Sequence, residues 1–263
     1  MDNAGKTKND FLAFFHRHLA PIVFVFQKGD ITTSYVVTAF VLSVQKQWFL
    51  VTAGHCLQKV DNCKEQGYVI QKCYLMDSMG VGATHFEPII FTYDLAKPQY
   101  VPDSREMDYG IIPLSTYYQE LLSTNDIAPL HEEVWRIQPN DPDSFALIGI
   151  PDEFIQRDNN TVGIITVLNW IDECEKPEHF PETKLPLFYG KIKLHSNQSS
   201  VRGMSGGPIF AFEQAKGQYR YWLKALQSSW RDQSEIVIGC PTTFLGNVID
   251  KMLSENEKRA IDS

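Results

Sequence analysis

The stretch Arg202-Gly203-Met204-Ser205-Gly206-Gly207-Pro208 sets a serine among three glycines. Serine is a weak nucleophile at its free pKa, so a reactive serine needs a base beside it. Glycines let the backbone turn sharply and direct amide N–H groups at one point, where they can bind the oxyanion of a tetrahedral intermediate. The pattern therefore predicts a nucleophile with an oxyanion hole, although taken alone a glycine-rich turn with a solvated serine explains it equally well.

The order of residues along the chain indicates where the base comes from. The same stretch fits the G-x-S-x-G pattern of α/β hydrolases, in which the histidine follows the serine. All seven histidines of this chain precede Ser205, so that alternative is rejected. His55 is the best candidate, because it follows an apolar strand and the small residues Ala53 and Gly54. A purely structural histidine remains the competing interpretation.

A histidine base needs an acceptor on its other ring nitrogen, which fixes the tautomer and stabilises the imidazolium. Asp108 opens the apolar run Tyr109-Gly-Ile-Ile-Pro-Leu114, so its carboxylate can be drawn inside against the ring. An exposed aspartate at the start of a strand is the alternative. Asp94 is the competing acid, but Lys97-Pro98 follows it in place of an apolar strand. We therefore predict a triad of His55, Asp108 and Ser205.

Three motifs in this order resemble the trypsin/chymotrypsin family of serine proteases. Thr52-Ala-Gly-His-Cys56 resembles the family's T-A-[AG]-H-C, and the run from Asp108 to Leu114 resembles D-[IL]-A-L-[IL]-x-[LV]. Gly203-Met-Ser-Gly-Gly-Pro208 resembles G-D-S-G-G-P. The likeness extends from about Pro21 to Pro241. It implies an all-β fold of two packed antiparallel six-stranded barrels, with the active site in the cleft between them.

The resemblance also implies further site residues. The oxyanion donors would be the backbone N–H groups of Gly203 and Ser205. Ser199, six residues before the serine, would lie at the base of the specificity pocket. The substrate-binding strand would contain Gln227, Ser228 and Ser229. Because Ser199 is neutral and no acid lies between it and Ser205, a basic substrate side chain is not expected there, unless Asp232 or Glu235 enters the pocket.

Two departures from the family pattern are informative. Secreted zymogens carry an I-V-G-G start and an aspartate before the serine, whereas this chain has no such start and has Met204 at that place. Cys56 lacks a partner in the preceding strand, so a free thiol is expected. These features resemble bacterial and intracellular trypsin-like proteases, including the protease domain of the HtrA type, here without a PDZ module.

The cysteine count indicates the compartment. The chain has five cysteines, an odd number that does not form a dense disulfide framework, so we expect a reducing, cytoplasmic location. No C-x2-C pair occurs, so no zinc site is predicted, and no metal or cofactor is expected.

Composition and charge narrow the class of protein further. The 263 residues are 43% hydrophobic and 21% charged, as in ordinary globular proteins. The formal net charge of −8 argues against a nucleic-acid partner, because nucleic-acid binders usually present a basic face. The chain contains no apolar run long enough to span a bilayer, so no membrane partner is predicted.

Turn-separated short strands and three prolines suggest how the chain is divided. We predict an N-terminal helical extension and, after the barrels, a C-terminal helix. Pro129, Pro139 and Pro142 mark the seam between the two halves. The predicted boundaries are 1–20 for the extension, 21–125 for the first barrel, 126–143 for the linker, 144–242 for the second barrel and 243–263 for the C-terminal helix and tail.

These observations predict a serine endopeptidase that forms an acyl-enzyme at Ser205, with His55 as general base and Asp108 as orienting acid. Its expected partner is a protein or peptide substrate. A regulatory protein is a further candidate partner, since a cytosolic protease without a zymogen switch needs restraint. The alternatives are a catalytically silent protease-fold binding or regulatory protein, and an esterase with the same machinery.

Overall fold

The computed structural model describes residues 11–79, 82–101, 107–158, 161–178, 180–215 and 218–261. In these residues the chain is mostly β, as the sequence predicts, and its strands fall into two halves along the chain. The described helices are few. One of them follows the strand that ends just before His55, and another follows the last strand of the chain.

The first half forms two four-stranded sheets, in the orders β2-β1-β5-β6 and β3-β4-β8-β7. The sheets meet where β2 leads into β3 and where an isolated bridge joins Leu19 to Phe40. This arrangement differs from the predicted single six-stranded barrel. The strands are β1 (Ile22–Lys28), β2 (Ile31–Val37), β3 (Phe40–Val44), β4 (Gln47–Thr52), β5 (Val69–Leu75), β6 (Ile89–Ile90), β7 (Gln99–Val101) and β8 (Tyr109–Pro113).

The second half contains the predicted closed six-stranded barrel, in the order β12-β13-β16-β15-β14-β9. All neighbouring strands in it whose register is given are antiparallel. A separate hairpin, β10-β11, precedes β12. The strands are β9 (Ser144–Gly149), β10 (Ile155–Asp158), β11 (Thr161–Ile164), β12 (Val167–Glu173), β13 (Phe188–Ile192), β14 (Pro208–Ala215), β15 (Gln218–Arg231) and β16 (Ile236–Pro241).

The helices lie between and after the strands. Residues 11–15 are helical and continue into a 3-10 turn, within the predicted N-terminal helical extension, of which residues 1–10 lie outside the described residues. The predicted C-terminal helix is present and begins at Thr242, one residue before the predicted boundary at 243. The α-helices are α1 (Gly54–Glu65), α2 (Thr116–Thr124), α3 (Glu132–Trp135) and α4 (Thr242–Ile261); further 3-10 turns are Tyr93–Ala96, Asp152–Phe154 and Asp232–Ser234.

The two largest of four apolar clusters account for most of the buried core of the described residues. The larger cluster extends from the first-half sheets to α4 and to the outer face of the closed barrel, where Phe210 and Leu226 belong to it. The second cluster fills the barrel interior and includes Met204, which is fully buried. Burial of apolar surface stabilises a fold by about 25 cal/mol per Å². The continuity of the larger cluster therefore keeps β4, α1 and β8 in contact with the second half.

Candidate active site

His55 lies at the point where β4 ends and α1 begins. Ala53 is extended, with φ −73° and ψ 141°, and the helix starts at Gly54. A Cβ at Gly54 would lie 2.1 Å from the carbonyl oxygen of Val101, so only glycine fits this close approach. The sharp change from strand to helix places the imidazole at the edge of the sheet, with its side chain 38% exposed.

Asp108 binds His55 at two points. Its Oδ1 accepts the backbone N–H of His55 at 2.8 Å, and its Oδ2 is 2.7 Å from the ring Nδ1. The Asp108 side chain is only 2% exposed. A buried carboxylate needs hydrogen-bond partners to offset the loss of hydration. The pairing therefore explains why Asp108 is tolerated inside, and it leaves Nε2 of His55 directed away from the acid.

Ser228 supplies a third hydrogen bond to the same carboxylate. Its hydroxyl donates to Oδ2 of Asp108 at 2.6 Å. The register between β15 and β16 shifts between Gln227 and Ser229, so Ser228 occupies a bulge. Bulges often re-aim a side chain next to an active site. The bulge thus turns a residue of the closed barrel towards the acid of the first half.

The pKa of His55 is set by opposing effects. Burial lowers it, but the hydrogen bond to Asp108 and the contact with Cys56 outweigh burial and raise the pKa from 6.5 to about 10. The Sγ atom of Cys56 lies 3.6 Å from Nε2 of His55. It also lies 3.7 Å from the carbonyl oxygen of Ser205. The imidazole and the serine segment therefore share one neighbouring thiol.

The segment around Ser205 has the backbone that its glycines predict. Gly203 has φ +89° and Gly206 has φ +91°, in the region that L side chains rarely adopt. A Cβ at Gly206 would lie 2.1 Å from Oγ1 of Thr52, so the chain passes very close to β4. The carbonyl oxygen of Gln227 accepts the N–H of Gly206 at 2.8 Å. These contacts place Ser205 at the junction between the halves.

The hydroxyl of Ser205 donates to the carbonyl oxygen of Ser228 at 3.4 Å. In the described part of the chain it makes no hydrogen bond to His55. Catalytic hydrogen bonds are often long or misaligned before substrate binds. The structure therefore brings the three predicted triad residues to one place, with the serine turned towards the neighbouring strand.

The predicted oxyanion donors are available for a ligand. Within the described residues, the backbone N–H groups of Gly203 and Ser205 have no hydrogen-bond acceptor. The carbonyl oxygen of Arg202 belongs to the peptide group that carries the N–H of Gly203, and it accepts the N–H of Asp152 at 2.7 Å. Because the C=O and N–H of a trans peptide point in opposite directions, this contact directs the N–H of Gly203 away from Asp152.

The predicted substrate-binding residues have different surroundings. Gln227 and Ser228 are buried, whereas Ser229 is half-buried. Ser199 is exposed, and the carboxylate of Glu153 binds its hydroxyl and its backbone N–H, each at 2.8 Å. The expectation of a neutral site around Ser199 missed this acid, because Glu153 is 46 residues earlier in the chain.

Asp94, the competing acid, lies away from His55. Its side chain is 67% exposed and its Oδ1 pairs with Nζ of Lys64 at 2.5 Å. This contact accounts for the residue as part of a surface ion pair. In the described residues, no group of three or more His, Cys, Asp or Glu side chains is arranged to hold a metal ion.

Two observations bear on the environment of the protein. All five cysteines are free thiols, in agreement with the expectation for Cys56. Among the described helices, none combines the length and the apolar character that crossing a bilayer requires.

Comparison with known proteins yields structural neighbours. No protein-family model and no curated protein matches the sequence. The chain is similar to the crystal structure of the protease Anisep from Arthrobacter nicotinovorans, with 16% identity over 86% of this chain and 90% of that chain, and a TM-score of 0.46. It is also similar to the thermostable serine protease AL20 from an extremophilic microorganism, with 12% identity over 86% and 91% of the two chains, and a TM-score of 0.47. With identities and TM-scores this low, the function proposed below rests on the geometry of the site.

Proposed function

We propose that the protein is a serine endopeptidase of the trypsin/chymotrypsin type, which hydrolyses peptide bonds through an acyl-enzyme at Ser205. The observation that carries this proposal is the buried Asp108 carboxylate, which holds His55 through Nδ1 at 2.7 Å. That bond places the proton on Nδ1 and leaves Nε2 as the base. The Cys56 thiol contacts both Nε2 of His55 and the backbone carbonyl oxygen of Ser205, so the two residues are neighbours.

The first half of the reaction forms the acyl-enzyme. Oγ of Ser205 attacks the carbonyl carbon of the scissile bond while Nε2 of His55 takes its proton. The carbonyl oxygen becomes an oxyanion, which the N–H groups of Gly203 and Ser205 stabilise. We propose that the substrate backbone engages the carbonyl oxygen of Ser228 and so frees the serine hydroxyl for His55. The C–N bond then breaks, and the imidazolium gives its proton to the leaving amine.

The second half repeats these roles with water. Nε2 of His55 takes a proton from water, whose oxygen attacks the acyl carbon. Breakage of the C–Oγ bond returns the proton to Ser205 and releases the carboxylic acid. Asp108 stays ionised throughout and stabilises the imidazolium twice in each cycle.

The finer parts of the proposal have their own support. The closed barrel of the second half and the paired sheets of the first half suit a two-barrel protease, with the seam at 126–143 between 21–125 and 144–242. The five free thiols suit a reducing, cytoplasmic compartment and a likeness to intracellular and HtrA-type protease domains. A protein or peptide is the expected substrate, and a regulatory protein partner would restrain the enzyme.

A fluorophosphonate probe tests the proposed function without knowledge of the substrate. Such a probe phosphonylates a serine only when that serine is activated. The wild-type protein should be labelled at Ser205, and Ser205→Ala should not be labelled. Ser123→Ala is a matched control that should react like the wild type, because the Ser123 hydroxyl lies on the exposed helix α2 and donates to the carbonyl oxygen of Gln119. A wild-type protein that stays unlabelled while hydrolysing no peptide would overturn the proposal.

The alternative function is a protease-fold binding protein without turnover. The orientation of the Ser205 hydroxyl towards Ser228 is the one observation that favours it. The same labelling experiment separates the two functions, since a silent binding protein leaves the probe unreacted.

A further inference from the structure

The loop 199–205, which carries the proposed oxyanion donors, is held from outside by the segment 150–153. The carboxylate of Glu153 binds the beginning of the loop. Its Oε1 accepts the N–H groups of Ser199 and Ser200 at 2.8 and 3.1 Å, and its Oε2 accepts the hydroxyl of Ser199 at 2.8 Å. One exposed side chain thus receives three hydrogen bonds within six residues of the nucleophile.

The middle of the loop is held by the backbone next to Glu153. The N–H of Asp152 donates to the carbonyl oxygen of Arg202 at 2.7 Å. A Cβ at Gly203 would lie 2.6 Å from the backbone nitrogen of Asp152, so the two segments are in close contact. The 3-10 turn Asp152–Phe154 therefore lies directly against the loop that forms the oxyanion hole.

The end of the loop is held through the first half of the chain. The hydroxyl of Thr38 donates to the carbonyl oxygen of Gly203 at 2.9 Å and accepts the N–H of Ile150 at 3.1 Å. Because Gly203 O is engaged in this way, its peptide group keeps one orientation. The three contacts fix the loop at its beginning, middle and end.

Inside the barrel, Met204 holds the loop by packing. It is fully buried, and a Cβ at Gly149 would lie 2.9 Å from its own Cβ. The amide of Gln198 donates to the carbonyl oxygen of Ser200 at 2.9 Å. The inner side of the loop is therefore also fixed, and the exposed carboxylate of Glu153 is its outer contact at the beginning.

We propose that Glu153 is a positioning residue for the oxyanion hole, which holds loop 199–205 in its reactive conformation before substrate binds. This inference rests on the proposed function. Hydrogen bonds from backbone N–H groups to a carboxylate are stronger than neutral ones, and preorganised donors contribute most when they need no rearrangement during the reaction. An exposed carboxylate contributes little to global stability. Loss of Glu153 should therefore lower the rate of reaction markedly and change the melting temperature little.

The test compares Glu153→Gln, Glu153→Ala and the wild type. Gln keeps a carbonyl oxygen for the two N–H groups, whereas Ala removes every acceptor. We measure the maximal rate and the half-saturating concentration for fluorophosphonate labelling, together with the melting temperature. Removal of one oxyanion donor costs about 10²–10³ in rate. Less precise positioning of both donors, the N–H groups of Gly203 and Ser205, should therefore lower the labelling rate about 10- to 100-fold in the Ala variant. A smaller loss is expected in the Gln variant, with little change in half-saturation.

The control is Glu182→Gln. Glu182 is also an exposed carboxylate with a close partner, since its Oε1 is 2.6 Å from Nζ of Lys176. The Glu182→Gln variant should be labelled at the same rate as the wild type. Equal labelling rates for the wild type and both Glu153 variants would overturn the inference while leaving the proposed function intact. A wild type that does not label would instead be a failure of the proposed function. If Glu153→Ala does not fold, Glu153→Gln decides the result.

A peptide library separates positioning from specificity. A carboxylate near Ser199 could instead bind a basic substrate side chain. Positioning predicts that Glu153→Gln lowers kcat by a similar factor for all cleaved peptides. A loss confined to peptides cleaved after lysine or arginine would overturn positioning and assign Glu153 to substrate selection.

Discussion

The hydroxyl of Ser228 donates to Oδ2 of Asp108 at 2.6 Å, the same oxygen that lies 2.7 Å from Nδ1 of His55. Ser228 belongs to the closed barrel and Asp108 to the first half. The bond therefore joins the two halves at the acid of the proposed triad. It also fixes the carboxylate plane in which His55 is held.

Ser228→Ala should lower kcat about 10- to 100-fold with little change in KM, because a hydrogen bond to a charged group contributes about 1.5–3 kcal/mol. The loss acts through the orientation of Asp108. Steady-state kinetics with a fluorogenic peptide measure it. Ser123→Ala, on the exposed helix α2, is the control, since its hydroxyl donates to the carbonyl oxygen of Gln119. Wild-type kcat in Ser228→Ala would show that the bond has no role in the reaction.

Asp108→Asn should cost on the order of 10⁴ in kcat, because an amide favours the wrong tautomer of His55. Asp94→Asn should be nearly silent, since Asp94 forms only an exposed pair with Lys64. Both variants should keep the far-ultraviolet circular dichroism of the wild type. If Asp94→Asn proves the damaging change, the acid has been wrongly assigned.

Ser205→Ala should abolish hydrolysis and leave the fold intact. In triad enzymes, loss of the nucleophile costs about 10⁶ in kcat. Progress curves at high enzyme concentration measure the residual rate, and thermal melting checks the fold. Residual activity above a few per cent, after repurification, would exclude Ser205 as the nucleophile.

Activity should rise with pH through a midpoint above 6.5, because the base must be neutral and the pKa of His55 is raised towards about 10. Cys56→Ala removes one of the contacts that raise this pKa, so its midpoint should lie at lower pH. Cys73→Ala, a buried cysteine on β5, should leave the midpoint unchanged. The profile of kcat/KM against pH shows both shifts. A higher midpoint in Cys56→Ala would contradict this account.

The same pKa shift has a consequence for stability. Because the folded-state pKa of His55 lies above its unfolded value, protonated His55 stabilises the fold fully below pH 6.5. This contribution is lost as pH rises towards about 10. In His55→Gln, the free energy of unfolding should therefore fall less between neutral and alkaline pH than in the wild type. Urea titrations at several pH values measure the difference.

Strong reductant should leave both the fold and the activity unchanged, because all five cysteines are free. Thiol titration of the denatured protein, without prior reduction, should find five reactive groups. Loss of activity on reduction would mean that a disulfide forms in the working protein.

The sequence was sufficient to predict that His55, Asp108 and Ser205 lie close together, because a local pattern marks each of them. His55 follows small residues after a strand, Asp108 precedes one, and Ser205 lies among glycines. The C-terminal helix was predictable for a similar reason, since its apolar periodicity is local. The closed barrel was implied instead by the resemblance of the three motifs, because its closure depends on pairing between distant strands.

The contacts of Glu153 and Ser228 could not be predicted, because they depend on distant parts of the chain. Glu153 lies in a 3-10 turn with no motif of its own. Ser228 reaches Asp108 only through a bulge, which alignment of short motifs does not reveal. Likewise, the two four-stranded sheets of the first half depend on pairing between β1 and β5, a non-local contact.

Each half of the chain supplies only part of the proposed catalytic site. His55 and Asp108 come from the first half, Ser205 comes from the second, and the bond from Tyr109 Oη to the carbonyl oxygen of Pro241, at 2.9 Å, crosses between them. A compound bound at this boundary would inhibit the proposed enzyme without resembling any substrate.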